Sequence, residues 1–231
     1  MEVSIYLFSR MKILFLNLIV MLAGLPGAPC FAQTNAESFY YAGLSAFGVR
    51  DYNAALTNFA KSVELNPRIP MTYNWSGRSK WWLKDYSGAI ADYDKAIALD
   101  PKCGGYFSNR GQAKYALNMM SEALEDFNKA IELDPKNAQA YFNRGTFKFN
   151  YLTNYTGATA DYSKAIEIHD DPQEEDIYFC RGNARMELKD YAGAIADYRK
   201  VLMLNPKHVG FQTAMTNIVA AQKLLRESGK K

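Results

Sequence analysis

The chain has 231 residues, 48% of them hydrophobic and 22% charged, with a formal net charge of +3. No basic tract stands apart from the Lys230-Lys231 tail, so nucleic-acid binding has no electrostatic footprint. Two histidines, His169 and His208, lack partners at metal-ligand spacing, and no phosphate-cradling glycine loop, nucleophile elbow or zinc signature is present. The expectation is a non-catalytic protein with no cofactor and no metal.

In chain order, Arg10 and Lys12 precede an apolar run over residues 13–24, which Leu25-Pro26-Gly27 interrupts. Cys30 and Ala32 then put small residues three and one before Gln33. This is the layout of a secretory signal peptide, residues 1–32, cleaved after Ala32. The run is short of the roughly 20 residues a spanning helix needs, and Pro29 argues against lipidation at Cys30. The expected location is secreted or periplasmic, with no stable membrane insertion after cleavage. The alternative is a membrane anchor formed by an uncleaved N-terminus. Met11 begins a more conventional signal, so the true start is Met1 or Met11.

Beyond the leader a pattern repeats. Asn66-Pro67, Asp100-Pro101 and Asp134-Pro135 stand 34 residues apart, and Asn205-Pro206 follows 71 residues later. Aligned on these, each unit has an aromatic and, four residues on, a glycine: Phe39/Gly43, Tyr73/Gly77, Phe107/Gly111, Tyr141/Gly145 and Tyr178/Gly182. An alanine follows (Ala55, Ala89, Ala123, Ala158, Ala194), and four residues after it another aromatic (Phe59, Tyr93, Phe127, Tyr162, Tyr198). Apolar residues recur at helical spacing, so each unit reads as a helix pair. The glycine is expected to face the alanine, allowing close backbone approach. Asp92-Lys95, Asp126-Lys129, Asp161-Lys164 and Asp197-Lys200 read as i,i+3 pairs on a solvated face. The fourth unit gains residues near 151–157 and in 169–173. Cys103 and Cys180 lie two units apart and should not meet, because repeats touch only their neighbours. After Pro206, the residues Phe211, Met215, Ile218, Val219, Leu224 and Leu225 predict the apolar stripe of a single amphipathic helix over 208–227.

The pattern resembles the tetratricopeptide repeat, a helix-turn-helix unit of 34 residues, over about residues 36–206. The resemblance implies an all-α fold: a right-handed α-solenoid of five units and a C-terminal capping helix. The units would be about 36–69, 70–103, 104–137, 138–174 and 175–207, within a repeat domain of 33–207, with the cap and tail at 208–231. It also implies that the first helices line a concave groove that binds a protein or peptide. Residues turned to that groove would be Tyr40, Trp75, Arg78, Trp82, Asn109, Gln112, Phe142, Asn143 and Asn183. Amides can bond an extended backbone while rings cover its side chains. In one branch of the family a clamp of Lys, Arg and Asn holds a chaperone's terminal carboxylate. Asn109 and Asn143 match its central Asn, but Tyr40 and Leu44, or Asn74 and Arg78, stand where Lys and Asn are required. Gln139 and Asn143, or Asp176 and Cys180, stand where Lys and Arg are required. The clamp is incomplete. The expected function is an exported scaffold for a protein or peptide partner lying along the second to fourth units. The alternatives are a cell-envelope assembly subunit and a binder of a sugar or peptidoglycan fragment stacked on Trp75 and Trp82.

Overall fold

The computed structural model describes residues 35–168, 174–205 and 210–228. The expected leader, the inserted segment 169–173 and His208 lie outside them. The described residues form helices and no strand: α1 (Ala36–Gly48), α2 (Tyr52–Leu65), α3 (Pro70–Trp82), α4 (Tyr86–Leu99), α5 (Gly104–Ala116), α6 (Met120–Leu133), α7 (Ala138–Asn150), α8 (Tyr155–Ile168), α9 (Glu174–Glu187), α10 (Tyr191–Leu204) and α11 (Phe211–Ser228). The first ten pair in sequence as five hairpins, and α11 packs on α10. The fold is an all-α helical repeat. Its helices group into two compact units, α1–α4 ending at Leu99 and α5–α11 beginning at Asp100.

The hairpin turns follow from local chemistry. The first helices give way to Arg50, Lys84, Asn118, Thr153 and Lys189, all with φ between 48° and 64° in the left-handed region. The next residue then caps the second helix: Asp51, Asp85, Asn154 and Asp190 each accept a backbone N–H three residues on, at 2.9–3.0 Å. Met119 holds this place in the third hairpin and offers no side-chain acceptor. The Asx-Pro dipeptides work at the other end. Asn66, Asp134 and Asn205 have φ of −148°, −137° and −143°, away from the helical region as a residue before proline must be. The side chains of Asn66, Asp100 and Asp134 accept the N–H of Arg68, Lys102 and Lys136 at 3.0–3.1 Å, closing a turn of their own.

Inside each hairpin the glycine meets the second aromatic most closely, and in the third hairpin it also meets the alanine's backbone. A Cβ built on Gly111 would stand 2.8 Å from Cε1 of Phe127, and one on Gly182 would stand 2.8 Å from Tyr198. The missing Cβ makes room for the ring, and at Gly111 also for the neighbouring backbone, since the Ala123 carbonyl oxygen would lie 3.2 Å from the added atom. The alanines are nonetheless fully enclosed. Small residues also carry the contact between hairpins: Ala158, Tyr162 and Ala165 share a core with Ala138, Ile177 and Ala184.

The aspartates overturn the expectation of a solvated face. Asp126, Asp161 and Asp197 are buried, 4%, 4% and 2% exposed, rather than solvated. Asp126 accepts Arg110 Nε at 2.8 Å and Nη2 at 2.6 Å, and pairs with Lys114 at 2.9 Å. Asp161 is held in the same way by Arg144 and Lys148, and Asp197 by Arg181 and Arg185. Asp92 is a reduced version, held by Ser76 and Lys80, each at 2.6 Å. Turned toward the first helix, these carboxylates are out of reach of the lysine three residues on. Lys129 and Lys164 pair instead with Glu132 and Glu167 at 2.7 and 2.8 Å.

The last helix also differs from its predicted stripe. Its buried row is Ala214, Ile218 and Ala221, packed on Ala194, Ile195 and Tyr198. Met215 and Val219 stand 43% and 65% exposed. Two alanines allow a close approach to α10 that the larger side chains would prevent.

Candidate functional site on the first-helix faces

In the unit α1–α4, Trp75 and Trp82 belong to a run of rings that crosses all four helices, while the ring of Tyr40 packs on Tyr41 and Phe59. Trp75 meets Phe47 edge-on at 5.0 Å, and Phe47 meets Tyr52 at 5.3 Å. Tyr52 lies parallel to Trp82, 5.8 Å away and 3° from coplanar, and Trp82 meets Trp81 edge-on at 5.2 Å. Trp81 in turn meets Tyr86 of α4 at 6.2 Å. Arg78 lies over the run, its guanidinium carbon 4.1 Å from the Trp75 centroid and 5.2 Å from that of Phe47. Burial lowers its pKa, with Tyr93 opposing. Trp82 remains 53% exposed at the rim. Tyr40 meets Tyr41 at 5.4 Å and helps line a shallow cleft of ≈ 330 Å³ with Glu37, Asn66, Ile69 and Met71. Burial raises the Tyr40 hydroxyl pKa; Trp75 acts against this and Tyr41 adds to it.

In the unit α5–α11 the amides behave differently. Asn143 is 8% exposed. Its amide donates to Ser108 Oγ at 2.9 Å, joining α7 to α5, and its oxygen accepts from Gln139 at 2.8 Å. Asn109 and Gln112 are half-buried on α5, and Phe142 packs its ring 5.8 Å from Tyr162. Asn183 accepts the Tyr198 hydroxyl at 2.7 Å, and Asn217 of α11 reaches both, at 3.4 and 3.2 Å. The structure therefore brings Asn143 and Asn183 into contacts between helices of the array. Asn109 and Gln112 share a face one helical turn apart. The role of Ser108 was not legible because serine has no period here. The Arg of each Asn-Arg-Gly string does carry a signal in the sequence, since it recurs with a basic residue four positions on.

The two described cysteines, Cys103 and Cys180, are free thiols. Burial, with Asp176 adding and Tyr162 opposing, pushes the Cys180 thiol up to about 11, which leaves it a poor nucleophile at neutral pH. Among the described residues no group of three His, Cys, Asp or Glu is placed to hold a metal ion. Nor is any described helix long and apolar enough to cross a membrane.

Comparison with known proteins agrees with this geometry. Family profiles described as tetratricopeptide repeat match residues 40–102 and 175–208, and one described as TPR repeat matches 111–148; together they span more than half of the chain. Similar solved structures include a thermophilic TPR protein of Thermus thermophilus, 21% identical over 81% of this chain and 98% of that one, with a TM-score of 0.67. Yeast Tom70 is 20% identical over 85% of this chain and 42% of its own, with a TM-score of 0.69. In the Cut9-Hcn1 hetero-tetramer of the APC/C, the match is 18% identical over 84% of this chain and 38% of that one, with a TM-score of 0.75. No curated protein sequence matches the chain.

Proposed function

Because the chain belongs to the tetratricopeptide repeat family, we propose that it is an exported, non-catalytic interaction scaffold whose first-helix faces hold an extended segment of a partner protein. The observation that carries the reading is Trp82: a tryptophan held rigid against Tyr52 yet 53% exposed. A pre-ordered, half-open aromatic at the rim of a ring cluster has the form of an interface anchor, since little entropy is left to lose when a partner covers it. Within its own unit, α5 carries Asn109 and Gln112 one helical turn apart on one face. The leader supports export: a short apolar run behind two cations and ahead of small residues.

The test is capture of a partner in the native compartment by crosslinking to the wild-type chain, followed by affinity measurement on variants. Trp82→Ala is expected to weaken binding by about 30-fold, a typical anchor contribution. Asn109→Ala is expected to weaken it less. Asn143→Ala is not a clean probe, because it strands buried Ser108 and costs about 1–3 kcal/mol of stability. Glu125→Arg, exposed on α6, is the control for the opposite face. Full affinity in Trp82→Ala and loss in Glu125→Arg would move the interface to the second helices. Intact mass of the exported product checks cleavage after Ala32.

A further inference from the structure

We propose that Arg78 is the recognition point for an acidic side chain of the partner segment. The inference rests on the groove reading above and specifies its chemistry. Among the described residues the other cations of the first helices from α3 onward, Lys80, Arg110, Lys114, Arg144, Lys148, Arg181 and Arg185, are all paired with a carboxylate. Arg78 is not. Its contacts are the faces of Trp75 and Phe47. Tyr93 also acts on it electrostatically, but burial holds that phenol protonated at neutral pH. A half-buried guanidinium with no anion has lost hydration and gained only quadrupole attraction from two rings. The two rings hold its guanidinium carbon 4.1 and 5.2 Å from their centroids and supply no acceptor in its plane, whereas its fork of N–H donors matches a carboxylate.

Arg78 stands where the family's carboxylate clamp places an asparagine, so a charged fork replaces a neutral amide at that position. The surroundings also fit a side chain rather than a chain end. Rings continue from Trp75 through Phe47 and Tyr52 to Trp82, so apolar contacts are available along the segment beside the acid. The occupant is therefore an extended peptide with an internal Asp or Glu next to a large apolar residue.

The probe is a random dodecapeptide library displayed through its C-terminus, so that no terminal carboxylate is free, selected on the full chain. Recovered peptides are then measured in solution against wild type, Arg78→Gln, Arg78→Lys and Trp82→Ala, with thermal midpoints as folding controls. Recovered peptides are expected to be enriched in Asp or Glu beside an apolar residue. Arg78→Gln should lower affinity by about tenfold or more, since a hydrogen bond to a charged group contributes about 1.5–3 kcal/mol. Changing the peptide's Glu to Gln should cost wild type a similar factor and cost Arg78→Gln almost nothing further, which identifies the pair as coupled. Arg78→Lys should recover only part, because an ammonium neither stacks nor forks. Peptides that depend on Trp82 but lack the acidic bias, or whose acid is indifferent to Arg78, would overturn this assignment while leaving the groove reading in place. Failure to recover any peptide, or indifference to both residues, would overturn both.

Discussion

Asp126, Asp161 and Asp197 each sit between two cations of their partner helix, with almost no exposure to water. Such a carboxylate is tolerated because both oxygens face cationic donors, and its removal leaves two positive groups facing each other in a dry place. The first hairpin shows the alternative. Ala42 and Ala46 replace the cations, and Asn58 replaces the aspartate, bonding only to the Ala54 carbonyl of its own helix at 2.9 Å. The second hairpin is intermediate, with Asp92 and Lys80 kept and Ser76 in place of the arginine. Asp126→Ala should therefore lower stability by about 3–5 kcal/mol, while Asn58→Ala should cost about 1 kcal/mol or less. Thermal unfolding of the two variants side by side checks this. Equal effects would mean that the buried ion pairs contribute no more than an ordinary side-chain hydrogen bond.

At the scale of the element, four of five second helices begin on an Asp or Asn that closes the first turn, and α6 begins on Met119. Met119 is 36% exposed and has the same backbone setting as its counterparts, with Met119 O already accepting from Ala123 N–H at 3.0 Å. Met119→Asp should add the missing acceptor and place a negative charge at the helix N-terminus. The expected gain is about 0.5–2 kcal/mol, visible as a raised thermal midpoint. No gain would show that the methionine already contributes as much by covering apolar surface. The last helix teaches a related lesson. Its contact with α10 is made by Ala214, Ile218 and Ala221, so the depth of approach between helices, not the bulk of the side chains, decided which face turned inward.

Across the whole molecule the same tyrosine recurs beneath a glycine in three hairpins. Tyr93, Tyr162 and Tyr198 are at most 1% exposed, and burial raises all three hydroxyls above the ordinary phenol range, Tyr198 up to about 12. The folded state disfavours the phenolate, whereas the unfolded chain releases its protons near pH 10. The stability these groups contribute is intact below pH 10 and is lost as the pH rises through 10 toward 12. Unfolding at fixed temperature should begin in that window and coincide with the ultraviolet signal of tyrosinate. Tyrosine ionisation well before loss of helix would show that the rings titrate in the folded array.

The period, the turns and the family were legible in the sequence because each is set locally. An Asx before a proline must leave the helical region, a glycine four residues after an aromatic marks a crossing, and both recur at fixed spacing. Of the first-helix faces, the rings and amides were legible by position but not by state. Asn143 and Trp82 look alike as groove positions, yet one is 8% exposed and bonded to Ser108 while the other stands half open. The aspartates escape a local reading for the same reason. At i,i+3 each has a lysine on its own helix, and nothing local says that two cations on the preceding helix offer more. Only the packing of helix on helix, by fixing which side chains share a dry space, decided which charges were paired and left Arg78 without a carboxylate.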